Sequence, residues 1–328
     1  MKILRREKMT TKLTIEEIKK ENRSDLLEKM FHEHIENLDT IEDEDFDIVF
    51  AILENVNTPE KVLLEVLNED VLNVFDNDDQ ELLILQTLKH PLLPKNEIRK
   101  YAESENCYHR GAIASNPSTD TFTLTLLSND SSINVVEAVA ANDKIDTNII
   151  EHLISCSTCS VHLNLACNDN LSDKNIEILA NSDSIHVRQA IASRDFIKAE
   201  VLHKLSDDDS DFVLCAIAEN ANTSEEDIEK LFYSSNKKVA KVLASHAKLT
   251  EEMMKILTKE ESDYLRSSFA ANPNLSADII DILACDESSY VRSALAQNEA
   301  LSEKDLRFLL NDNNYYVRTE AYKTLHKN

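Results

Sequence analysis

A repeat of 26 residues constrains the fold of this chain more than any other feature of its sequence. Stepping back 26 residues at a time from Asn298 reaches Asn, His or Arg in nine successive units without a gap. These anchor positions are Asn298, Asn272, His246, Asn220, Arg194, Asn168, Asn142, Asn116 and His90. A tenth, Asn55, lies 35 residues before His90, so we expect an insertion near 70–80. A fixed period of this length is the signature of a repeat architecture.

Other columns keep the same phase as the anchor. The position seven residues before it is Val in most units, and the position two residues before it is Ala in every unit from Ala114 to Ala296. Three residues after the anchor stands Leu or Ile, with Thr119 and Thr223 as exceptions. Chance does not hold several columns in phase over this many units, so the repeat is a structural unit.

Each unit is predicted to form two short helices. Ten residues before the anchor stands a residue that can cap a helix N-terminus: Asn106, Ser132, Thr158, Ser184, Ser210, Asn236, Ser262 and Ser288. A second cap series follows four residues after the anchor: Asp120, Asp146, Ser172, Ser224, Thr250, Ser276 and Ser302. The second helix has room for about two turns and could be partly 3₁₀.

Helices this short cannot bury their apolar stripes alone, but stacked copies build one continuous core. We therefore predict an all-α solenoid of 26-residue, two-helix repeats without a β-sheet. The single Gly and five Pro agree with this, because sheet turns need both residues. Residues 41–328 are predicted to hold about ten units and a C-terminal half-repeat, and residues 1–40 a helical N-terminal cap or arm.

The anchor side chain is predicted to point into the core. At 100° per residue, the anchor and the positions three, four and seven residues before it share one side of the first helix. A buried amide must be paired, so we expect the Asn column to satisfy backbone groups at the turn between helices.

Tyrosine and arginine recur on another side of the first helix. Tyr stands eight residues before several anchors and Arg six before, and Tyr beside Arg is typical of interface hot spots. The predicted interaction surface is Tyr264, Arg266, Tyr290, Arg292, Tyr316 and Arg318. Two alternatives stay open: the tyrosines could pack on the next turn, and the arginines could pair with preceding acids such as Asp286 or Glu260.

The chain is strongly acidic. Its 35 Lys and Arg against 61 Asp and Glu give a net charge of −26. The densest acidic patch is predicted at Glu42, Asp43, Glu44, Asp45, Asp47, Asp76, Asp78 and Asp79. A polyanion repels nucleic acids and anionic membranes and attracts basic proteins, so neither of the former is expected as a partner. The charge could also serve solubility alone.

The repeat resembles the leucine-rich repeat variant family. The motif "YVRSALAQN" at 290–298, "VRQAIAS" at 187–193 and the Asn-Pro pairs of "ANPN" at 271–274 and "SNPS" at 115–118 carry the resemblance. It implies alternating α- and 3₁₀-helices in a right-handed superhelix, and an interaction scaffold. The founding type also has an N-terminal iron–sulfur module. This chain has no Cys before Cys107, so that feature does not carry over.

No pattern in the sequence predicts catalysis, a metal site or a cofactor. The CxxC of Cys156 and Cys159 is a weak signal, because Cys167 would lie too far along the helix to complete a metal site. One Gly excludes the glycine-rich phosphate loops. The scattered Cys and the absence of a signal-peptide pattern favour a cytoplasmic location.

Three functions compete on the sequence alone. The first is a non-enzymatic scaffold that binds a protein partner, which could be basic. The second is an acidic immunity protein or nucleic-acid mimic that neutralises a basic protein. The third is a nucleic-acid enzyme of the HEAT-like DNA glycosylase type, which would need a basic groove that the sequence does not show.

Overall fold

A computed structural model of the chain describes residues 13–35, 43–156, 158–234, 236–246 and 248–327. In these ranges it contains 24 α-helices and no strand, which confirms the predicted all-α fold. The helices are α1 (Ile15–Ile18), α2 (Ser24–Ile35), α3 (Asp43–Glu54), α4 (Glu60–Val66), α5 (Glu69–Leu72), α6 (Asn77–Leu88), α7 (Lys95–Ala102), α8 (Cys107–Ser115), α9 (Thr121–Leu127), α10 (Ile133–Ala140), α11 (Thr147–Cys156), α12 (Cys159–Ala166), α13 (Asp173–Leu179), α14 (Ile185–Ala192), α15 (Ala199–Leu205), α16 (Asp211–Glu219), α17 (Glu225–Phe232), α18 (Lys237–Leu243), α19 (Glu251–Leu257), α20 (Asp263–Ala270), α21 (Ala277–Ala284), α22 (Ser289–Gln297), α23 (Glu303–Leu309) and α24 (Tyr315–Leu325).

The chain divides into two compact units, residues 1–175 and 176–328. In the first unit the helices α3, α6, α8, α10 and α12 form one row, in which each helix packs on the next. In the second unit α14, α16, α18, α20, α22 and α24 do the same. Within each unit, the intervening helices, here called the second-row helices, pack on this first row. The Ala column lies within the first row, where Ala114 and Ala296 are fully buried because small side chains let neighbouring helices approach closely.

The anchor amide joins each repeat to the one before it. Nδ2 of Asn298 donates to the backbone oxygens of Ala270 (3.0 Å) and Asn272 (2.7 Å), and its Oδ1 accepts the N–H of Ala300 (2.9 Å). The same three bonds recur at Asn116, Asn142, Asn168, Asn220 and Asn272. The amide thus pairs backbone groups of two repeats, as its predicted inward direction requires.

The two exceptions in the Leu column have a structural reason. Thr119 Oγ1 donates to the backbone oxygen of Ile113 (2.6 Å), and Thr223 Oγ1 does the same to Ile217 (2.6 Å). Both oxygens belong to the last turn of a first-row helix, where a carbonyl lacks the usual N–H four residues on; each accepts the hydroxyl together with the N–H of Asn116 or Asn220. A buried hydroxyl is therefore accommodated in an otherwise apolar column.

The caps of the two helix series differ. Most of the second series is as predicted, since Asp120, Asp146, Ser172, Ser224, Thr250 and Ser302 accept N–H groups of the first turn, whereas Ser276 makes no such bond. In the first series only Asn106, Asn236 and Ser262 do so. The predicted side-chain caps at Ser132, Thr158, Ser184, Ser210 and Ser288 are absent. Asp130, Asp208 and Asp286 instead accept the backbone N–H of Ser132, Ser210 and Ser288.

The second-row helices are α-helical, with lengths of seven to ten residues from α9 to α23. The 3₁₀ geometry that the family resemblance implies is not found in the described residues. These helices are stabilised by N-terminal caps and by apolar side chains that pack on the first row. In α19 the packed side chains are Met253, Met254 and Leu257, all of them buried. A helix of seven residues has room for about one turn of α-helical hydrogen bonds, and caps can pair the backbone groups left over at its ends.

The N-terminal helices extend the core. Ile18 of α1 and Leu27 and Phe31 of α2 are buried in one cluster with Ile52 of α3 and Leu63 of α4. Residues 1–12 and 36–40 of the predicted cap lie outside the described residues. In the predicted insertion, the structure forms the additional short helix α5 and then the twelve-residue α6.

We expect the anchor amide to contribute strongly to stability. Asn298→Ala removes two donors and one acceptor from buried backbone partners, and should lower the free energy of unfolding by about 2–4 kcal/mol. The matched control is Gln297→Ala, an exposed neighbour whose loss should cost about 0.5 kcal/mol or less. Urea unfolding followed by circular dichroism measures both. Equal stability of the two variants would contradict the structural role of the amide.

Histidine replaces the anchor in two repeats and keeps one donated and one accepted bond of the three. His90 Nε2 donates to the backbone oxygen of Asn55 (2.9 Å), and His90 Nδ1 accepts the N–H of Leu92 (3.1 Å). His246 likewise bonds the backbone of Asn220 and accepts the N–H of Lys248. The bond accepted by Nδ1 needs the neutral ring, because a protonated Nδ1 cannot accept. Burial lowers the pKa of both imidazoles.

These histidines should make stability depend on pH. An unfolded His has a pKa of about 6.5, so below that pH the unfolded chain takes up a proton that the folded chain resists. Stability is therefore full above about pH 6.5 and falls as the pH drops toward the lowered folded pKa. The variant His90→Asn/His246→Asn keeps the anchor bonds without a titrating group. Its unfolding free energy should fall less than that of the wild type between pH 7.5 and 5.5, and parallel losses would refute this account.

Candidate interaction surface

The arginine column forms ion pairs between repeats. Arg292 Nε and Nη2 donate to the two carboxylate oxygens of Asp312, at 2.7 and 3.1 Å. Its Nη1 donates to the backbone oxygens of Asp286 (2.7 Å) and Glu287 (3.3 Å). Arg110, Arg188 and Arg266 repeat this arrangement with Asp130, Asp208 and Asp286. A two-point contact between a planar fork and a carboxylate is a strong form of charge-assisted hydrogen bond.

These contacts revise the predicted surface. Arg266 and Arg292 are only 5% and 9% exposed, and their guanidinium groups are occupied within the chain. The ion-pair alternative holds for them, but the carboxylate comes from the loop just before the next first-row helix, 20 residues after the Arg. The preceding residues Glu260 and Asp286 contribute backbone oxygens instead. Hydrogen bonds from the arginines lower the pKa of the Asp130 and Asp312 carboxyls, so both stay ionised at neutral pH.

A signal for these pairs was present in the sequence. The Arg lies six residues before the anchor and the Asp fourteen residues after it, and the two occur together at the anchors Asn116, Arg194, Asn272 and Asn298. At the anchors Asn142, Asn168, Asn220 and His246 the first position is Val136, His162, Leu214 or Ala240, and Asp is missing from the second. Sequence reasoning considered each column alone and therefore missed the partner.

The tyrosines lie on the solvent side of the first row. Tyr264, Tyr290 and Tyr316, here called the tyrosine ladder, occupy one register position on the successive helices α20, α22 and α24. Their exposed fractions are 60%, 76% and 72%. The alternative in which they pack on the next turn is therefore not what the structure shows. One turn after Tyr264 and Tyr290, on the same side of the helices, lie Ser267 and Ser293. Both are half-exposed, small and uncharged.

A lysine of the chain already uses one ring of the ladder. Lys241 Nζ of α18 lies 4.3 Å from the centre of the Tyr264 ring and also contacts its hydroxyl. This is the geometry of a cation–π interaction. Exposed acids stand at the same end of the helices as the rings: Glu261 and Asp263 before Tyr264, and Glu287 before Tyr290.

The predicted acidic patch is only partly at the surface. Asp45 is buried and accepts a hydrogen bond from His34 Nδ1 (2.7 Å), and Asp76 caps α6 by accepting the N–H groups of Asp78 and Asp79. Glu44, Asp47, Asp76 and Asp78 are exposed, and Asp79 is half-buried. Glu42 and the side chain of Asp43 lie outside the described residues. A local interaction site built from all eight acids is therefore not formed.

No cluster of three or more metal-ligating side chains occurs in the part of the chain that the structure describes. Cys159 and Cys167 are both exposed, and the side chain of Cys156 is outside the described residues. Within the same ranges, no helix is both long and apolar enough to cross a bilayer.

The fold defines this chain as an all-α repeat protein. A solved structure described as a leucine-rich repeat variant with a novel repetitive protein structural motif is similar to it, with 19% identity, a TM-score of 0.42, and coverage of 76% of this chain and 88% of that one. This is the family that the repeat motifs resemble. An engineered protein is similar at 14% identity and a TM-score of 0.23, over 95% and 92% of the two chains. No protein-family model and no curated protein matches the chain.

Removing one partner of an ion pair should lower the free energy of unfolding more than replacing both partners together. Arg292→Val leaves the Asp312 carboxylate, whose side chain is 9% exposed, without its partner and should lower the free energy of unfolding by about 3 kcal/mol. In other repeats Ser takes the Asp position and accepts the same N–H, as Ser104 does from Asn106 (3.2 Å). The double variant Arg292→Val/Asp312→Ser should therefore recover at least about half of the loss. Additive losses, measured by urea unfolding, would contradict this.

Proposed function

We propose that the chain is a non-enzymatic repeat scaffold that binds a basic segment of a partner protein on the tyrosine ladder. The observation that carries the proposal is the exposure of three tyrosines at one register of adjacent helices. Large rings exposed in a row are unfavourable in a chain that only needs to stay soluble. Tyrosine is also among the residues that contribute most to protein interfaces.

The chemistry beside the ladder supports a basic partner. Lys241 on Tyr264 shows that these rings accept a cation, and Tyr290 and Tyr316 have no such cation on their rings among the described residues. Glu287 lies three residues before Tyr290, and its side chain is 91% exposed although its carboxylate lies 3.7 Å from Arg266 Nη2. A Lys or Arg of the partner can therefore contact a ring and a carboxylate together. The net charge of −26 adds long-range attraction for the same kind of partner.

Binding of a basic probe tests this function. We expect Tyr290→Ala/Tyr316→Ala to weaken the binding of a fluorescein-labelled arginine–serine repeat peptide about fivefold to thirtyfold, since each exposed cation–π contact contributes about 0.5–1 kcal/mol. The measurement is fluorescence anisotropy at physiological ionic strength. Tyr108→Ala is the matched control, because Tyr108 has the same register position in α8 and is 64% exposed.

The outcome also separates the scaffold from the acidic mimic. If the acidity alone bound the peptide, wild type and both variants would bind it equally, and the affinity would fall with added salt in all three alike. That result would refute the ladder as the binding site. A loss confined to the Tyr290→Ala/Tyr316→Ala variant supports it.

A further inference from the structure

The second residue of the second-row helices is polar in nine repeats and aromatic in one. This position lies six residues after the anchor and is exposed in every repeat. Phe122 of α9 occupies it with a ring that is 80% exposed. The polar residues at the same position are Lys61, Asn96, Asn148, Lys174, Glu200, Glu226, Glu252, Asp278 and Lys304. Since the other repeats stack with a polar residue here, the Phe122 ring is not needed to build the solenoid.

Leu126 extends the apolar surface of Phe122. It lies four residues further on, so the two side chains are neighbours on one face of α9, and it is 51% exposed. Single exposed apolar residues are common on protein surfaces and need no explanation. Two large neighbours do need one in a repeat that elsewhere supplies a polar residue. The other exposed residues of α9, Thr121 and Thr125, carry no charge.

The adjacent helix α7 makes this surface basic. Its exposed side chains are Lys95, Asn96, Arg99 and Lys100, whereas its one acid, Glu97, is half-buried. The exposed residues of α7 and α9 are therefore basic or neutral, in a chain with a net charge of −26. Arg99 reaches the start of α9, because its Nη2 lies 3.6 Å from Oδ2 of the cap residue Asp120. Positive charge thus lies beside the apolar pair.

The basic side chains remain accessible to a ligand. Arg99 is 68% exposed, and its contact with Asp120 is longer than a hydrogen bond. Lys100 contacts Glu97 (3.1 Å) but is 64% exposed, and Lys95 is exposed as well. The net charge of the chain repels an acidic ligand from afar, but physiological salt screens charges more than about 8–10 Å away. At contact distance the local cations therefore decide which charge is attracted.

We propose that α7 and α9 form a docking site for an acidic segment of a partner protein. A large apolar side chain of that segment packs on Phe122 and Leu126. Its carboxylates contact Lys95, Arg99 and Lys100, and Arg99 offers them a planar fork of donors. An anionic membrane would match the local charge, but the net charge of −26 repels so large a surface. The site is independent of the tyrosine ladder and of the proposed function.

Three labelled peptides test both halves of the site. The first consists of three Asp-Glu-Leu-Phe units and is both acidic and apolar. The second has Ser in place of Leu and Phe, and the third has Asn and Gln in place of Asp and Glu. Wild type should bind the first peptide about tenfold more tightly than either of the others, because only the first supplies an apolar contact and a charged contact together. The measurement is fluorescence anisotropy at physiological ionic strength.

A variant that copies the neighbouring repeats identifies the apolar contact. Phe122→Asn gives α9 the residue that Asn96 and Asn148 provide in the adjacent repeats, so the fold should tolerate it. It should weaken the binding of the first peptide about fivefold to tenfold and leave that of the second unchanged. Phe196→Asn is the matched control, because it removes a ring that is 94% exposed in another repeat, and it should change neither.

A second variant identifies the charged contact. Lys95→Gln/Arg99→Gln should weaken the binding of the first peptide about fivefold and make it less sensitive to added salt. Tyr290→Ala/Tyr316→Ala should bind this peptide as wild type does, which separates the site from the tyrosine ladder. Urea unfolding verifies that each variant is folded.

Four results would overturn the proposal. They are equal binding of the three peptides by wild type, no binding of the first, equal effects of Phe122→Asn and Phe196→Asn, and unchanged binding by Lys95→Gln/Arg99→Gln. Binding of wild type to phosphatidylserine–phosphatidylcholine vesicles that Phe122→Asn abolishes would also overturn it, since the surface would then serve a membrane.

Discussion

The anchor amide is the interaction on which the rest of the structure depends. Two helices of seven to ten residues have too little apolar surface to fold alone, so each repeat must be held against its neighbour. An Asn side chain has two donors and one acceptor oxygen, and the chain uses all of them, two on the previous repeat and one on its own turn. The bonds reach back 26 and 28 residues, so they also fix the length of the repeat. Between Asn55 and His90 nine extra residues are inserted, and the extra helix α5 accommodates them. His90 therefore still bonds the backbone of Asn55.

The ion pairs are a second link that only some repeats possess. Four arginines bind an Asp in the loop before the next first-row helix: Arg110, Arg188, Arg266 and Arg292. In another repeat the same position is Val136, which is buried as an apolar side chain. A residue type that recurs in a few units invites a functional interpretation. Here its partner recurs with it, so the arginines serve stacking. The tyrosine ladder differs from them because its rings are mostly exposed to solvent, which is why the proposed function rests on the ladder and not on the paired arginines.

The sequence predicted the parts of the fold that follow from helical periodicity. The 26-residue register and the 100° helical turn together placed the Asn column in the core and the tyrosines outside, and the structure agrees for Asn298 and Tyr290 alike. Contacts that depend on stacking could not be read in this way. Sequence proximity suggested Glu260 and Asp286 as ion partners of the arginines that follow them, yet the carboxylate arrives from the next loop. The burial of Asp45 against His34 depends on two helices separated by residues 36–42, which periodicity cannot place.

Charge and aromatic surface would act at different distances in the proposed function. The attraction of a polyanion extends over about one Debye length, roughly 8–10 Å in physiological salt, so it governs how often a basic partner arrives. A ring contact works only within about 6 Å, so it governs how long the partner stays. Acidic residues alone would bind any polycation, whatever the spacing of its positive charges. A ladder with one ring per repeat adds register, because its spacing is set by the same stacking that the anchor amides maintain. The interaction that builds the fold would thereby also determine the spacing of basic residues that a partner needs.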